Sequence, residues 1–358
     1  MESGVFHSTY AADMQIRPKP LQRIRAAIIL VVVLVIPFVA NSYQMTLVNQ
    51  ILIASIGAIG LNILTGFTGQ ISLGQGGFMA IGAYGSGLFV NELGLPWPIA
   101  IIFACFVTAA MGGLFGLPSL RLKGLYLAIA TLAAQQIIQW MIVRGPTIMN
   151  QIGMPLKSLG VRTEALVIPA PKLFDINLSR DYNFYWLALF CLLLTVAFAV
   201  NLFRTKMGRA FIAIRDQDIA AEVMGVNVFR YKLIAFATSS FFVGLAGALT
   251  AQYRTIVSFE RFTIDASILY LAIIIIGGLG SISGSIYGAI FMTLLPAVLS
   301  NLGSALEDVV PAMARLIPFV QRGVFGLTII LFLVFEPEGL AKIWRDIKDY
   351  FRLWPFSY

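Results

Sequence analysis

The 358 residues are 59% hydrophobic and only 12% charged, with a mean hydropathy of +0.86. Soluble domains carry about 25% charged residues, so the composition excludes an ordinary soluble enzyme and points to an all-α polytopic membrane protein. A net charge of +8 does not signal a nucleic-acid partner, because the cations gather in the connections between apolar runs, the positive-inside pattern.

Residues 1–23 form a polar leader containing the lone His7 and ending in Arg17, Lys19 and Arg23. Arg25 stands at the mouth of the first apolar run, 24–40. A basic region, an apolar core and Ala40 fit a cleavable signal peptide, but the many runs that follow make an uncleaved first helix the better reading. Those runs fall at 45–64, 71–92, 98–117, 123–143, 184–203, 232–253, 267–280, 284–301 and 322–336. Each reaches or nearly reaches the ~20 residues that cross ~30 Å of hydrocarbon. About ten transmembrane helices are expected, with eight to ten compatible. Gly and Ser interrupt 267–280 and its neighbour, which predicts a broken or re-entrant pair.

With the N-terminus inside, ten spans place 16 of the 25 Lys and Arg on one side. Both termini are therefore expected in the cytoplasm, as is the loop 204–232, while 144–183 is extracytoplasmic. The chain divides into leader 1–23, membrane region 24–340 and a cytoplasmic tail, 341–358. The loop 144–183 contains Pro146, Pro155, Pro169 and Pro171 and is longer than most structureless connections. A lid or docking surface and a plain surface loop both fit it.

A two-fold internal repeat shows at an offset of 211: Gly66, Gly69, Ile71, Ser72 and Gly77 match Gly277, Gly280, Ile282, Ser283 and Gly288. Paired Gly-interrupted segments mark transport pathways in many transporters, and they also mark tight helix packing. Both readings stand at this point.

Cys105 and Cys191 lie in apolar runs, where neither a disulfide nor a metal site is the natural reading. No acidic pair, His-Glu-x-x-His motif or Ser/His arrangement supports catalysis, so catalytic and metal-ligating residues are none. Ser72-Leu73-Gly74-Gln75-Gly76 looks like the signature loop of an ATP-binding cassette. No Gly-rich phosphate-binding loop accompanies it, so the chain is expected to bind no cofactor itself. Ionisable residues inside lipid mark proton and ion paths, and the span interiors contain essentially none. Energy must then enter from outside the chain. The neutral polar residues Asn62, Gln70, Ser72, Gln75 and Ser283 are candidates for lining a pathway. Gln135, Gln136 and Gln139 form a further polar group. Interhelical hydrogen bonding, worth ~0.6 kcal/mol each, is the commoner role for such side chains.

The stretch 208–232 is charged, amphipathic and flanked by spans. A helix over 214–224 would set Asp218 and Glu222 on one face and Ile214, Ala221 and Met224 on a second, apolar one. Gly225 is placed to end it. Helices that lie on lipid favour Lys and Arg on their polar face. This one mixes Arg215, Asp216, Asp218 and Glu222 with the small residues Ala220 and Ala221, which suits a protein groove better.

Asp-Ile-Ala-Ala-Glu-Val-Met-Gly at 218–225 resembles the loop through which permease subunits of ABC importers engage their ATPases. Together with the runs at 60–84 and 275–289, it is similar to the branched-chain amino-acid permeases, most closely the M-type (LivM-like) branch. The likeness covers most of 25–340. It implies ATPase coupling through Arg215, Asp216, Asp218, Ala220, Ala221, Glu222 and Gly225. Implied partners are a second, H-type permease, two cytoplasmic ATPases carrying ATP and Mg, and a periplasmic binding protein that delivers Leu, Ile or Val across a bacterial inner membrane. Urea- or amide-type permeases of similar sequence are the near alternative, and a stand-alone secondary transporter or channel the distant one.

Overall fold

The computed structural model describes residues 20–119, 122, 124–151, 165–173, 176–178, 180–307 and 313–353. Thirteen helices and two short sheets are formed among them. One compact unit ends at Thr46, and the rest of the chain forms a second. The first holds α1 (Pro20–Val39) and the start of α2 (Ser42–Thr68). From Leu30 onward α1 exposes Val31, Val32 and Phe38, as a helix meant to face hydrocarbon does.

In the second unit, α2 is followed by α3 (Gln75–Asn91), α4 (Trp97–Ser119) and α5 (Leu125–Gln151). After β1 (Ala165–Val167), β2 (Lys172–Leu173) and β3 (Ile176–Asn177) come α6 (Asp181–Arg204), α7 (Lys206–Asp216), α8 (Asp218–Val223) and α9 (Val228–Arg254). The strand β4 (Ile256–Ser258) and a 3₁₀ turn lead to α10 (Ile264–Gly277), α11 (Ile282–Glu307), α12 (Met313–Phe335) and α13 (Leu340–Leu353). Each of the ten apolar runs coincides with a helix. Among the described residues six are long and apolar enough to cross a membrane alone, namely α2, α4, α5, α6, α9 and α11. A seventh arises if α12 and α13, bent by 52°, count as one. With 17 and 14 residues, α3 and α10 fall short of the ~20 a span needs. Both adjoin glycine-rich breaks.

Small residues set the packing of α9 between α3 and α4. A Cβ on Gly82 would run into the carbonyl of Gly244, and one on Gly247 into that of Met79. On the other side Thr108 lies against Gly244, and Ser240 against Gly112. Lipid offers no hydrophobic drive between helices, so close backbone approach through such positions is what holds them together.

The loop 144–183 is only partly a loop. α5 runs on to Gln151. Ala165–Val167 pairs antiparallel with Ile256–Ser258, Leu166 opposite Val257, and these two side chains are buried. Leu166 and Ile168 rest on Gly87 of α3. Asn91 Nδ2 donates to Val167 O at 2.7 Å, and Trp97 Nε1 to Lys172 O at 2.9 Å. The described part of the segment is thus fastened to α3, α4 and the α9–α10 connection. At the same end Asn49 of α2 donates to Asp181 O at 2.9 Å, and the Tyr253 hydroxyl donates to the Asp181 carboxylate.

Replacing Gly247 with Leu should overpack the seam against the Met79 carbonyl and cost about 1–3 kcal/mol, lowering the melting midpoint in detergent by several degrees. Gly113→Ala, which meets nothing within 4 Å, should leave the midpoint unchanged or slightly raised, since Ala is the better helix former. Thermal scans followed by size-exclusion chromatography would read both.

Candidate functional site

The loop 204–232 is shaped by two helix ends and one extended residue. Thr205, with ψ near 172°, stops α6, and its Oγ1 donates to Leu202 O at 2.7 Å. The turn into α7 is tight enough that a Cβ on Gly208 would strike the Leu202 carbonyl and Phe203 Cα. Gly208, Ala210, Phe211 and Ile214 form the buried stripe of α7, a helical spacing. Phe211 meets Tyr231 of α9 edge-on at 6.4 Å, and Phe203 stacks on Phe67 of α2 at 3.6 Å.

Gln217 is extended (φ −162°, ψ 109°), so the single helix expected over 214–224 is two helices. Gly225 ends α8 as expected, at φ +86°. The amide of Val226 donates to Ala221 O and that of Gly225 to Glu222 O, the Schellman arrangement that needs a left-handed residue. The break at Gln217 reorients the second half. Ile214 and Ala221 are buried as expected, but Met224 is 83% exposed. With Val223 at 82% and Ile219 at 62%, it makes an apolar patch on α8 beside exposed Glu222 and Ala220. Asp218 does not share a free face with Glu222. It is turned toward Lys232 Nζ at 3.4 Å, both side chains mostly covered, which fastens α8 to α9. The Arg215–Asp216 pair at 3.0 Å is far more open, and exposed pairs contribute little, about 0–1 kcal/mol.

Arg215 has a second task. Its Nη1 donates to Gly66 O near the end of α2 at 3.3 Å. Gly69, at φ +72°, lies against Arg215 such that a Cβ would come within 3.3 Å of its Cα. Gly280, at φ +73°, faces the same guanidinium, and a Cβ there would meet Nη1 at 3.0 Å and Gly66 O at 3.2 Å. Of the three glycine pairs at offset 211, Gly69 and Gly280 thus take the same left-handed conformation and meet at one arginine. Asn62 completes the junction. Its Oδ1 accepts the Gly280 amide at 2.9 Å, and its Nδ2 donates to Ser281 O at 2.9 Å and to Ser285 Oγ at 2.7 Å. The two breaks differ in length. Helix resumes at Ile282 after the second, whereas residues 69–74 stay non-helical after the first.

That non-helical stretch holds the first three residues of the signature-like run, whose Gln75 and Gly76 open α3. Leu73 N donates to Thr131 Oγ1 at 2.9 Å, Gly74 N to Ser72 Oγ at 3.3 Å and Gly76 N to Ser267 Oγ at 2.8 Å. A Cβ on Gly76 would come 2.7 Å from the carbonyls of Phe262 and Thr263. The glycines here serve close packing. Asn62, Ser72 and Gln75, whose Nε2 donates to Gly57 O at 3.0 Å, are occupied in internal bonds, and Gln135 accepts from Ser267 at 2.6 Å. Of the pathway candidates, Ser283 is exposed, and Gln70 is buried with its side-chain amide unpartnered. Neither the reach of Arg215 to Gly66 nor the Asp218–Lys232 pair was anticipated from sequence, since they join residues 149 and 14 positions apart.

The apolar helices, their small-residue seams and the paired glycine breaks define a helical, polytopic membrane protein. Residues 43–333 match the family described as branched-chain amino acid transport system, permease component, and the chain belongs to that family. It is 31% identical to the high-affinity branched-chain amino acid transport system permease protein LivM of Salmonella typhimurium, over 90% of this chain and 76% of the relative. It is 26% identical to a probable LivM of Methanocaldococcus jannaschii, over 68% of this chain and 67% of the relative. It is also 26% identical to the fructose import permease protein FrcC of Rhizobium meliloti, over 74% and 72%. No solved structure matches.

Removing the Asn62 side chain orphans the half-buried Gly280 amide, a loss of about 1–3 kcal/mol. Asn62→Ala should therefore lower the melting midpoint measurably. Asn62→Asp keeps the acceptor, loses both donors and buries a charge, so it should destabilise further. An N62D midpoint at or above that of N62A would contradict the assigned hydrogen bonds.

Proposed function

We propose that this chain is the permease of an ATP-driven importer for branched-chain amino acids, working with a second permease, two cytoplasmic ATPases and a binding protein outside a bacterial inner membrane. The supporting observation is the apolar tip of α8: Ile219, Val223 and Met224 stand in solvent beside Glu222 on the loop that the family likeness marks. Burying each such side chain in a partner groove is worth about 1.5–3 kcal/mol, enough together to hold an ATPase. Leu, Ile and Val are the substrates, by likeness to the LivM relatives. The basic loop and both termini face the cytoplasm.

On this reading the ATPases move α8, and the Asp218–Lys232 pair and the short α7 carry that motion to Arg215. The guanidinium there touches both glycine breaks. A rigid-body movement of α7 must then displace the end of α2, the turn after α10, or both. Such a displacement would open and close the pathway.

Reconstitution with co-encoded ATPases and binding protein tests this directly. Labelled leucine should accumulate only with ATP, and urea should neither accumulate nor compete. Replacing Glu222 with Ala and Gly225 with Val together, or Val223 and Met224 with Asp, should cut uptake at least about tenfold, the factor that ~1.4 kcal/mol of lost docking energy represents, with membrane insertion intact. Urea accumulation would overturn the substrate, uptake without the ATPases would overturn the importer, and normal uptake by the loop variants would overturn the docking site.

A further inference from the structure

We propose that α13 lies along the headgroup boundary of the bilayer, its apolar face toward the acyl chains, and there braces the second glycine break. Its sequence places Leu340, Ile343, Trp344, Ile347, Tyr350 and Phe351 on one stripe at helical spacing. The opposite side carries Lys342, Arg345, Asp346, Lys348, Asp349 and Arg352. Six charges in 14 residues forbid a path through hydrocarbon, where a charged residue costs about 2.5–3.5 kcal/mol.

The root of α13 is packed. Gly339, at φ +72°, lies so close to the Gly278 amide and the Ile276 carbonyl that a Cβ would come within 2.6–2.7 Å of them. Gly278 in turn faces Glu338 O and Ala341, and Trp344 lies 6.3 Å from the Tyr287 ring of α11. Beyond this root the apolar stripe stays outside: Trp344 is 58%, Ile347 44% and Tyr350 61% exposed. What covers it follows from its neighbours. α12, ending four residues earlier, exposes Val334 and Phe335, so the apolar surface of a membrane helix continues into that of α13 across a 52° bend. Trp and Tyr on an amphipathic helix favour the boundary between acyl chains and headgroups. Counting Glu338, which pairs with Lys342 at 3.4 Å and Arg345 at 3.0 Å, four cations stand against three anions, and this small excess favours an anionic leaflet. Because the root rests on Gly278, a lipid surface that holds α13 also steadies the turn in which Gly280 meets Arg215.

The test uses the full chain in nanodiscs, with Cys105 and Cys191 replaced by Ala and a spin label walked through 343–350. Labels at 344, 347 and 350 should be relaxed by oxygen more than by a water-soluble nickel complex, and labels at 346 and 349 the reverse. Adding phosphatidylglycerol to phosphatidylcholine should bury label 347 further. K342Q/R345Q/K348Q should lose that response. Nickel access at every position, or protection that arises only when the ATPases are added, would overturn the proposal; no response to phosphatidylglycerol would overturn its anionic part. Where a label disturbs folding, quenching of the unlabelled chain by brominated lipid, minus that of Trp344→Phe, gives the same answer: no difference would overturn it.

Discussion

The side-chain amide of Asn62 spans the contact between the end of α2 and the turn after α10, and the rest of the working end depends on that contact. Two polypeptide breaks can approach this closely only where neither carries a Cβ, and Gly66 and Gly280 meet that condition. Breaks also leave backbone groups without helical partners, a heavy cost in lipid. Here Asn62 takes the Gly280 amide and returns two donors to 281 and 285, and Arg215 takes the Gly66 carbonyl. One cation from α7 therefore satisfies a carbonyl near the end of α2. Loop and breaks cannot be rearranged independently.

Much of this was legible in the sequence where the signal is local. The apolar runs marked the helices, and Gly225 marked the end of α8 because only a left-handed residue closes that turn. The spacing of 211 paired five positions, and among them Gly69 and Gly280 have nearly equal φ values. What escaped was long-range or depended on a single residue. Nothing about Gln217 announces an extended conformation, and that one residue turned Met224 outward and divided the expected helix. Asn62, Ser72 and Gln75 were pathway candidates because they are polar in an apolar setting. That setting is also what makes interhelical hydrogen bonds necessary, and the geometry favours the second role. α13 was read as a tail, since its charges hide a continuous apolar stripe from any average over hydropathy.

The division of labour is consistent across the molecule. Small-residue seams between α9 and its neighbours make a scaffold that resists deformation, because a methyl group is already too much at Gly82 or Gly247. Short helices α3 and α10 adjoin the breaks. At the opposite end, Asp181, Asn49 and the β1–β4 pair tie the helices to the segment between α5 and α6. α7 and α13 meet at the end that holds the breaks, through Arg215 against Gly280 and Gly339 against Gly278.

Hydrogen exchange at the Gly280 amide tests the central claim most directly, since that amide is protected by Asn62 and adjoins Arg215. In the complex with its ATPases, ATP binding should change exchange across 277–284 in the native chain, and Arg215→Gln should abolish the change while the ATPases remain bound. Equal exchange with and without ATP, or the same response in R215Q, would contradict a path from the docking loop to the paired glycine breaks.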